Sequence, residues 1–319
     1  MDTPWLSVIV PSHNGERWLA TALHSVAEQS EPGIELIVVD SSDRDSSLEI
    51  AAGFSEKLPV RTYRRPDLRS WTAKTNFGVA AAGAAHICML HQDDLWLPGR
   101  AGEVKKWLAD CPSGVMHVHP VHVVDETGKR RGIWRCPLPA GEAAVPDMVL
   151  LERLLVQNFI AIASPVIRRD AFLRVGGVED QLWYTADWDL YLKLSALGDV
   201  HYHKEPLACF RVHRGSMTLS GSRSIDDFRR QMEIVLERHA ARLGRAADKA
   251  AHATLHAAKL SISVNTALAA ANLGKPVELI KVALALLGLG PVGVCRYFRD
   301  SRIVDRIYPR LRARLAGAL

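Results

Sequence analysis

Short, wholly apolar runs alternate in the first half of the chain with stretches whose apolar residues recur every three or four positions. Leu6 to Val10 (LSVIV) is a buried-strand run, and Trp18, Leu19, Ala22, Leu23 and Val26 then share one helical face. Residues 35–40 (ELIVVD), 59–63 (PVRTY) and 86–90 (HICML) predict further strands, with helices over WTAKTNFGVAAAGA and GRAGEVKKWLADC. Strands alternating with helices predict parallel β-α-β units and an open sheet covered on both faces. Ligands of such sheets bind beyond the carboxyl ends of the strands.

Three of those ends are polar: PSHNG after the first strand, DSSDRDSS at the end of the second, and HQDD after the fourth. Taken singly, each has an ordinary structural reading. Ser41, Ser42, Asp43 and Asp45 all suit a helix cap, and Pro, Asn and Gly form turns. Together they bring several carboxylates to one sheet edge, which predicts a ligand site. The first strand is not followed by the G-x-G-x-x-G of a dinucleotide fold, and no G-x-x-x-x-G-K-[ST] phosphate loop occurs. Adjacent Asp93 and Asp94 repel each other at a strand end, so a hard divalent cation (Mn²⁺ or Mg²⁺) shared with a diphosphate is expected there.

Composition adds limits. A chain of 319 residues with 48% hydrophobic and 24% charged content is long enough for one large domain or a domain with a helical appendage. The five cysteines are scattered without a C-x-x-C pair, so neither a zinc site nor a disulfide framework is expected, and the cytosol is the natural compartment. Met1 to Ser12 lacks the basic start and long apolar run of a signal peptide. The longest apolar window, Val282 to Cys295, falls short of the about 18 residues a membrane-spanning helix needs. Between Arg296 and Arg314, seven arginines face only Asp300 and Asp305, which accounts for the whole net charge of +5. A neutral body with a basic tail argues against general nucleic-acid binding and for one anionic contact surface.

LSVIVPSHNGERWLATALHSVAEQS, ELIVVDSSDRDSS, AKTNFGVAAAGAAHICMLHQDDLWLPG and YTADWDLYLKLSALGDV, in this order, resemble the family-2 glycosyltransferases over roughly residues 5–215. The resemblance implies the GT-A fold, a Rossmann-like open mixed sheet, and an inverting, metal-dependent transfer from a nucleotide-diphospho-sugar, most often a UDP-sugar. By position, Asp40 matches the acid set against the nucleotide base, with Ser41 where a second acid is usual. Pro11, His13 and Asn14 of the first strand end, and Lys74 and Asn76 of a basic-x-Asn element, fall on the nucleotide-sugar side. Asp93 and Asp94 match the D-x-D region, one near the ribose and one on the metal. His91 stands where many members carry another acid; it reads either as a manganese ligand or as a strand-end histidine bonded to backbone. Asp187 matches the general base, with Ala186 in place of the neighbouring Glu, and also suits a carboxylate stabilised at a helix start. Asp189 faces elsewhere on the same helix. Arg211, His213 and Arg214 resemble an R-x-H element that closes over the diphosphate or helps hold the metal, and equally a solvated basic loop. Trp71, Trp96, Trp134, Trp183 and Trp188 are candidates for stacking on sugars or for core packing.

Residues 1–220 are therefore expected to form the transferase domain, and 221–319 a helical C-terminal extension, since Ile225 to about Leu289 shows helical spacing and no strand signal. On a helix, Tyr297, Val304, Tyr308, Leu311 and Leu315 make an apolar stripe and Arg299, Arg302, Arg306 and Arg310 lie away from it, with Pro309 expected to interrupt it. That tail reads as an anchor on an anionic membrane surface, or as a helix docked on the domain with a solvated basic face. The expected function is sugar transfer to a glycan or lipid-linked acceptor in surface-polysaccharide or glycoconjugate synthesis, in the cytoplasm or at the inner face of the cell membrane. The alternative is a catalytically silent nucleotide-sugar-binding protein, motivated by Ser41, His91 and Ala186 in place of family acids.

Overall fold

The computed structural model describes residues 3–141, 143–216, 224–244, 249–277 and 279–317. Strands β1 (Leu6–Ser12), β2 (Ile34–Asp40), β3 (Val60–Arg64) and β4 (His86–Met89) lie where the apolar runs predict them, and they pair in parallel. The sheet continues through β6 (Met116–Val118), β9 (Val166–Arg168) and β10 (Val200–Tyr202) in the order β10-β6-β9-β4-β1-β2-β3. The sheet is mixed, as the family resemblance implies, because β9 runs antiparallel to both β4 and β6, a departure from the parallel units that the strand–helix alternation alone predicts. At three residues β9 is too short to show a period in the sequence.

Alternate residues of the central strands feed two apolar layers. Leu6, Val8, Val10, Leu36, Val38 and Cys88 pack under α1 (Leu19–Ala27) and α4 (Arg100–Asp110). Ile9, Ile37, Val39, Ile87 and Met89 pack on the opposite face with α3 (Trp71–Ala81), α5 (Asp147–Val156) and α7 (Ala186–Leu194). Burial on both faces is why these strands read as continuous apolar runs. Each such buried aliphatic side chain stabilises the fold by about 1.5–3 kcal/mol. A Cβ on Gly78 would lie 2.6 Å from Ile9 Cγ2, so glycine lets α3 sit close on β1.

A second, four-stranded sheet grows out of the acidic turn after β4, in the order β5-β11-β7-β8, from β5 (Leu95–Trp96), β7 (Val121–Val124), β8 (Arg130–Trp134) and β11 (Ala208–Arg211). Pairing of Cys209 with Leu95 brings Arg211 beside the acids that precede β5.

The expected domain boundary at 220/221 falls outside the described residues, as do Met217 and Thr218 of the basic segment. Beyond it come α8 (Ile225–Ala240), a 3-10 turn (Ala241–Leu243), α9 (Lys249–Asn272), α10 (Leu279–Gly288), α11 (Gly290–Ser301) and α12 (Ile303–Leu315). Phe228, Met232, Val235, Ala258 and Ile262 enter the main core cluster, so these helices share the core of the sheet region. Among the described residues, no single helix is long and apolar enough to cross a membrane.

The tail departs from expectation in two ways. The chain breaks at Arg302 (φ 46°) between α11 and α12, whereas Pro309 lies inside α12 and is buried against β8. A Cβ on Gly132 would come within 2.6 Å of Pro309 Cγ, so this contact needs a glycine in β8. Secondly, the arginines do not form one solvated face, although Arg299, Arg312 and Arg314 are exposed. Arg296 pairs with Glu152 at 2.8 Å, Arg299 with Asp300 at 2.7 Å and Arg302 with Asp305 at 2.6 Å, while Arg306 and Arg310 turn inward to a cavity. The apolar residues face out: Val304 is 62%, Tyr308 54%, Leu311 49% and Leu315 80% exposed, with only Tyr297 of the stripe buried.

Candidate active site

A cavity of about 900 Å³ opens beyond the strand ends, between the β1 and β4 termini, the start of α7 and α12. The loops after β1, β2 and β4 are fastened to one another. His13 N donates to Gln92 Oε1 at 2.8 Å, and Gln92 Nε2 returns a bond to His13 O at 3.0 Å. Asn14, in the left-handed region at φ 49°, donates through its backbone to Ser42 Oγ at 2.7 Å and through Nδ2 to Asp43 Oδ2 at 3.3 Å. Ser42 in turn donates to both oxygens of buried Asp40, from N at 2.9 Å and Oγ at 2.7 Å. The polar run after β2 therefore ties loops together; Asp45 starts α2 (Ser46–Ala52) without a side-chain cap bond.

Pro11, His13 and Lys74 line the cavity, whereas exposed Asn14 and buried Asp40 are not part of its lining. Lys74 is buried and donates Nζ to Ser12 O at 2.7 Å and Ser41 Oγ at 2.9 Å. Burial lowers its pKa to about 8, with Asp40 opposing the fall. Ser41, standing where a second acid is usual, thus serves as a neutral acceptor for a buried ammonium. Asn76 is directed elsewhere: it donates to Val178 O at 2.8 Å and accepts from Val178 N at 3.0 Å, pinning the turn before α7.

The acid pair occupies two different environments. Asp94 is buried; its Oδ1 accepts from Arg211 N at 2.9 Å and its Oδ2 has no hydrogen-bond partner among the described residues. Burial, and then Asp93, raise its pKa well above the usual carboxylate range. For Asp93, burial acts in the same direction, but a 2.8 Å contact between Oδ2 and His213 Nε2, helped by the nearby imidazoles, keeps its pKa below the ordinary value. Arg211 donates Nε to Asp93 O at 2.8 Å and Nη1 to Asp125 O at 3.0 Å, so its guanidinium clamps the acidic turn to the β7–β8 hairpin. His91 faces the cavity with its Nε2 buried and unpartnered and its ring 5.3 Å from Trp71, and burial favours the neutral ring.

The predicted ligand set of His91, Asp93, Asp94 and His213 does not assemble. Among the described residues, no three His, Cys, Asp or Glu side chains converge as a group able to hold a metal ion, because His213 takes up Asp93 and His91 lies against tryptophan. The orphaned, buried Asp94 Oδ2 does fit a hard cation that takes one or two carboxylates and completes its shell with phosphate oxygens and water.

Across the cavity, Asp187 stands in the first turn of α7. Its Oδ1 accepts from Trp188 N at 2.8 Å and its Oδ2 from Asn158 Nδ2 at 3.0 Å. Burial nevertheless pushes its pKa up to about 6. Asn158 is itself fixed, since its Oδ1 accepts from Ile160 N at 3.1 Å. It lies in an irregular segment after α5 with no motif to announce it. Asp189 points into the protein, where it meets His239 at 3.0 Å and Lys193 at 2.5 Å. Trp71, Trp134, Trp183 and Trp188 line the cavity, whereas Trp96 is core; Arg214 is exposed and lines a neighbouring groove.

Residues 7–171 match the model of glycosyl transferase family 2, just over half of the 319-residue chain. The chain belongs to that family. An uncharacterized glycosyltransferase of Rickettsia typhi is 22% identical over 226 residues, covering 71% of this chain and 70% of the relative. Another, from Nostoc, is 25% identical over 68% of this chain and 67% of its own. Among solved structures, S. aureus TarS 1–349 in complex with UDP-GlcNAc superposes with a TM-score of 0.60 at 14% identity, covering 95% of this chain and 91% of that one. The mannosyltransferase PcManGT from Pyrobaculum calidifontis, in complex with GDP-Man and Mn²⁺, gives 0.54 at 18% identity, covering 96% and 88%. The transferase therefore has the GT-A fold with a helical C-terminal region, as the sequence motifs imply.

Proposed function

We propose that this transferase moves a sugar, with inversion, from a UDP-sugar to a hydroxyl of a glycan or lipid-linked acceptor in surface-polysaccharide or glycoconjugate synthesis. The observation that carries the reading is Asp187: a carboxylate with a pKa near 6, oriented by two donors, in the same cavity as the Asp93–Asp94 pair. A carboxyl of that pKa is ionised at neutral pH yet more basic than a solvated one, which suits a general base. The acceptor oxygen attacks the anomeric carbon as its proton passes to Asp187. The bond from that carbon to the diphosphate breaks, and the electron pair leaves on the diphosphate oxygen. Trp188 N and Asn158 hold the carboxylate without neutralising it. Lys74, buried near the β1 terminus, places positive charge on the donor side. Asp94, with Asp93, would hold Mn²⁺ or Mg²⁺, which neutralises diphosphate charge when bound.

In the same reading the transferase works at the inner face of the cell membrane. What supports this is the outward apolar surface of α10 to α12, including Ile280 (77% exposed), Leu287 (73%), Val292 (84%) and Leu315 (80%).

Transfer from a panel of UDP-sugars with Mn²⁺ tests the chemistry. Single-turnover rates should rise with pH through an inflection near 6 to a plateau. Asp187→Asn should bind UDP normally and transfer at least about a hundredfold more slowly. Near-normal transfer by that variant removes Asp187 as the base.

A further inference from the structure

Arg306 and Arg310 on α12 lack the acid partners of Arg296, Arg299 and Arg302, and unlike the exposed Arg312 and Arg314 they turn into the cavity. Among the described residues neither makes an ion pair, although Arg296, Arg299 and Arg302 each do. Arg306 donates Nη2 to Asn265 Oδ1 at 3.2 Å, while its Nε and Nη1 are buried without a hydrogen-bond partner among the described residues. Arg310 donates to Arg306 O, and its guanidinium carbon lies 5.7 Å from the Trp134 ring. Burial lowers the pKa of both, and Arg306 further depresses that of Arg310, to about 10. Two neighbouring, largely desolvated cations, one of them with unfilled donors, are costly unless an anion joins them.

Position identifies which side of the reaction that anion belongs to. Tyr184 shares a groove with Arg306 and Arg310 that neither Lys74 nor the acid pair lines, and it feels the charges of both arginines and of Asp187, which puts the arginine pair towards the base. That groove, of about 570 Å³, leads away from the cavity, with Phe228, Leu268, Ala269 and Ile307 as apolar lining and Arg214 and Arg314 beside them. Guanidinium forks match the oxygens of a phosphate, and apolar walls beyond match a hydrocarbon chain.

We propose that Arg306 and Arg310 form an acceptor subsite that holds a phosphate group of the acceptor, with an apolar chain attached to that phosphate lying in the adjoining groove. This rests on the transfer reaction proposed above, because it assigns the anion to the acceptor and not the donor. The charge of the pair is then neutralised only in the acceptor complex, which orients the acceptor hydroxyl towards Asp187.

Calorimetry on the full chain, with UDP and Mn²⁺ saturating the donor side, tests the subsite with decyl phosphate and inorganic phosphate as probes. Decyl phosphate should bind, and more tightly than inorganic phosphate. The Arg306→Gln/Arg310→Gln double variant should weaken it at least tenfold, while UDP affinity changes less than twofold. Without phosphate that variant should melt higher than wild type, since two repelling buried charges are gone, which also establishes that it folds. Should it fail to fold, Arg306→Lys/Arg310→Lys keeps the charge without the fork and should still weaken decyl phosphate. Unchanged decyl phosphate binding in the variants overturns the subsite, and equal binding of the two probes overturns its apolar extension. A parallel loss of UDP affinity reassigns the arginines to the donor diphosphate and overturns the proposal. Failure of wild type to bind UDP strikes at the transferase reading alone, and is seen separately in the UDP arm.

Discussion

Replacing Asp187 by Asn should make the protein more stable at neutral pH, although the substitution removes a charge from the first turn of a helix. The carboxyl titrates near 6 in the folded chain against an ordinary value of 3.8, with burial as the largest cause. The folded state therefore holds this proton more tightly than the unfolded state does. Full stability is present below pH 3.8, is lost as pH rises through about 6, and stays lower above that. A gap of about two pKa units corresponds to about 3 kcal/mol. The asparagine side chain resembles the protonated acid and escapes this cost, but it has one acceptor oxygen where the carboxylate serves two donors, Trp188 N and Asn158 Nδ2. One of them loses its partner, at about 1–2 kcal/mol. Asn158 cannot turn its amide round without releasing Ile160 N. The balance is a gain of about 1–2 kcal/mol above pH 7, or a few degrees in melting temperature, that turns into a loss of similar size towards pH 4, where the ionisation cost has vanished and the lost hydrogen bond remains. Melting curves of both proteins between pH 4 and 8 measure it. A variant that melts lower than wild type at pH 8, or by an amount that ignores pH, would refute the account of Asp187 as a desolvated base and leave it a helix-start carboxylate.

Asp94→Asn should lower UDP affinity at least about tenfold in the presence of Mn²⁺ and leave metal-free affinity unchanged, since it removes a buried carboxylate oxygen that has no hydrogen-bond partner among the described residues; titration calorimetry decides, and equal affinities in Mn²⁺ would take Asp94 out of the cation site. Leu311→Ser with Leu315→Ser should reduce co-sedimentation with anionic vesicles. Most wild-type binding should survive about 1 M salt, where charges are screened beyond about 3 Å, because Arg296, Arg299 and Arg302 are ion-paired and Arg306 and Arg310 turn inward, leaving Arg312 and Arg314 as the exposed cations; release by salt alone would restore the arginines to the lipid contact.

Strands β1, β2 and β4 were legible because burial on both faces makes them mostly apolar, whereas the half-exposed β3 was found by its place in the strand–helix alternation; the strand ends were legible because three polar clusters fall on one sheet edge. The second sheet was not legible: β5 and β11 are two and four residues long and depend on partners remote in sequence. The acidic turn was found, but which oxygen stays free depends on Arg211 and His213 arriving from more than a hundred residues away. Periodicity grouped Tyr308 and Leu311 on one face of the tail helix and Arg306 and Arg310 on another. It could not say which face is inside, since the usual assumption that apolar residues turn inward is reversed in α12. Asn158 had no signal at all, because one amide in an irregular segment carries no pattern.

The seat of Pro309 against Gly132 makes the last described helix a wall of the cavity, and this gives the two halves of the site different birthdays on the ribosome. In the assignment proposed above, the donor side draws on residues 11 to 94, braced later by Arg211 and His213, and the acceptor side waits for residues 306 to 310. As chains fold from the N-terminus while they emerge, a nascent transferase passes through a stage with a formed sheet edge and an open acceptor flank. Closure of that flank is a late, long-range contact, so an interrupted chain would retain the part that grips a nucleotide and lack the part that chooses what receives the sugar.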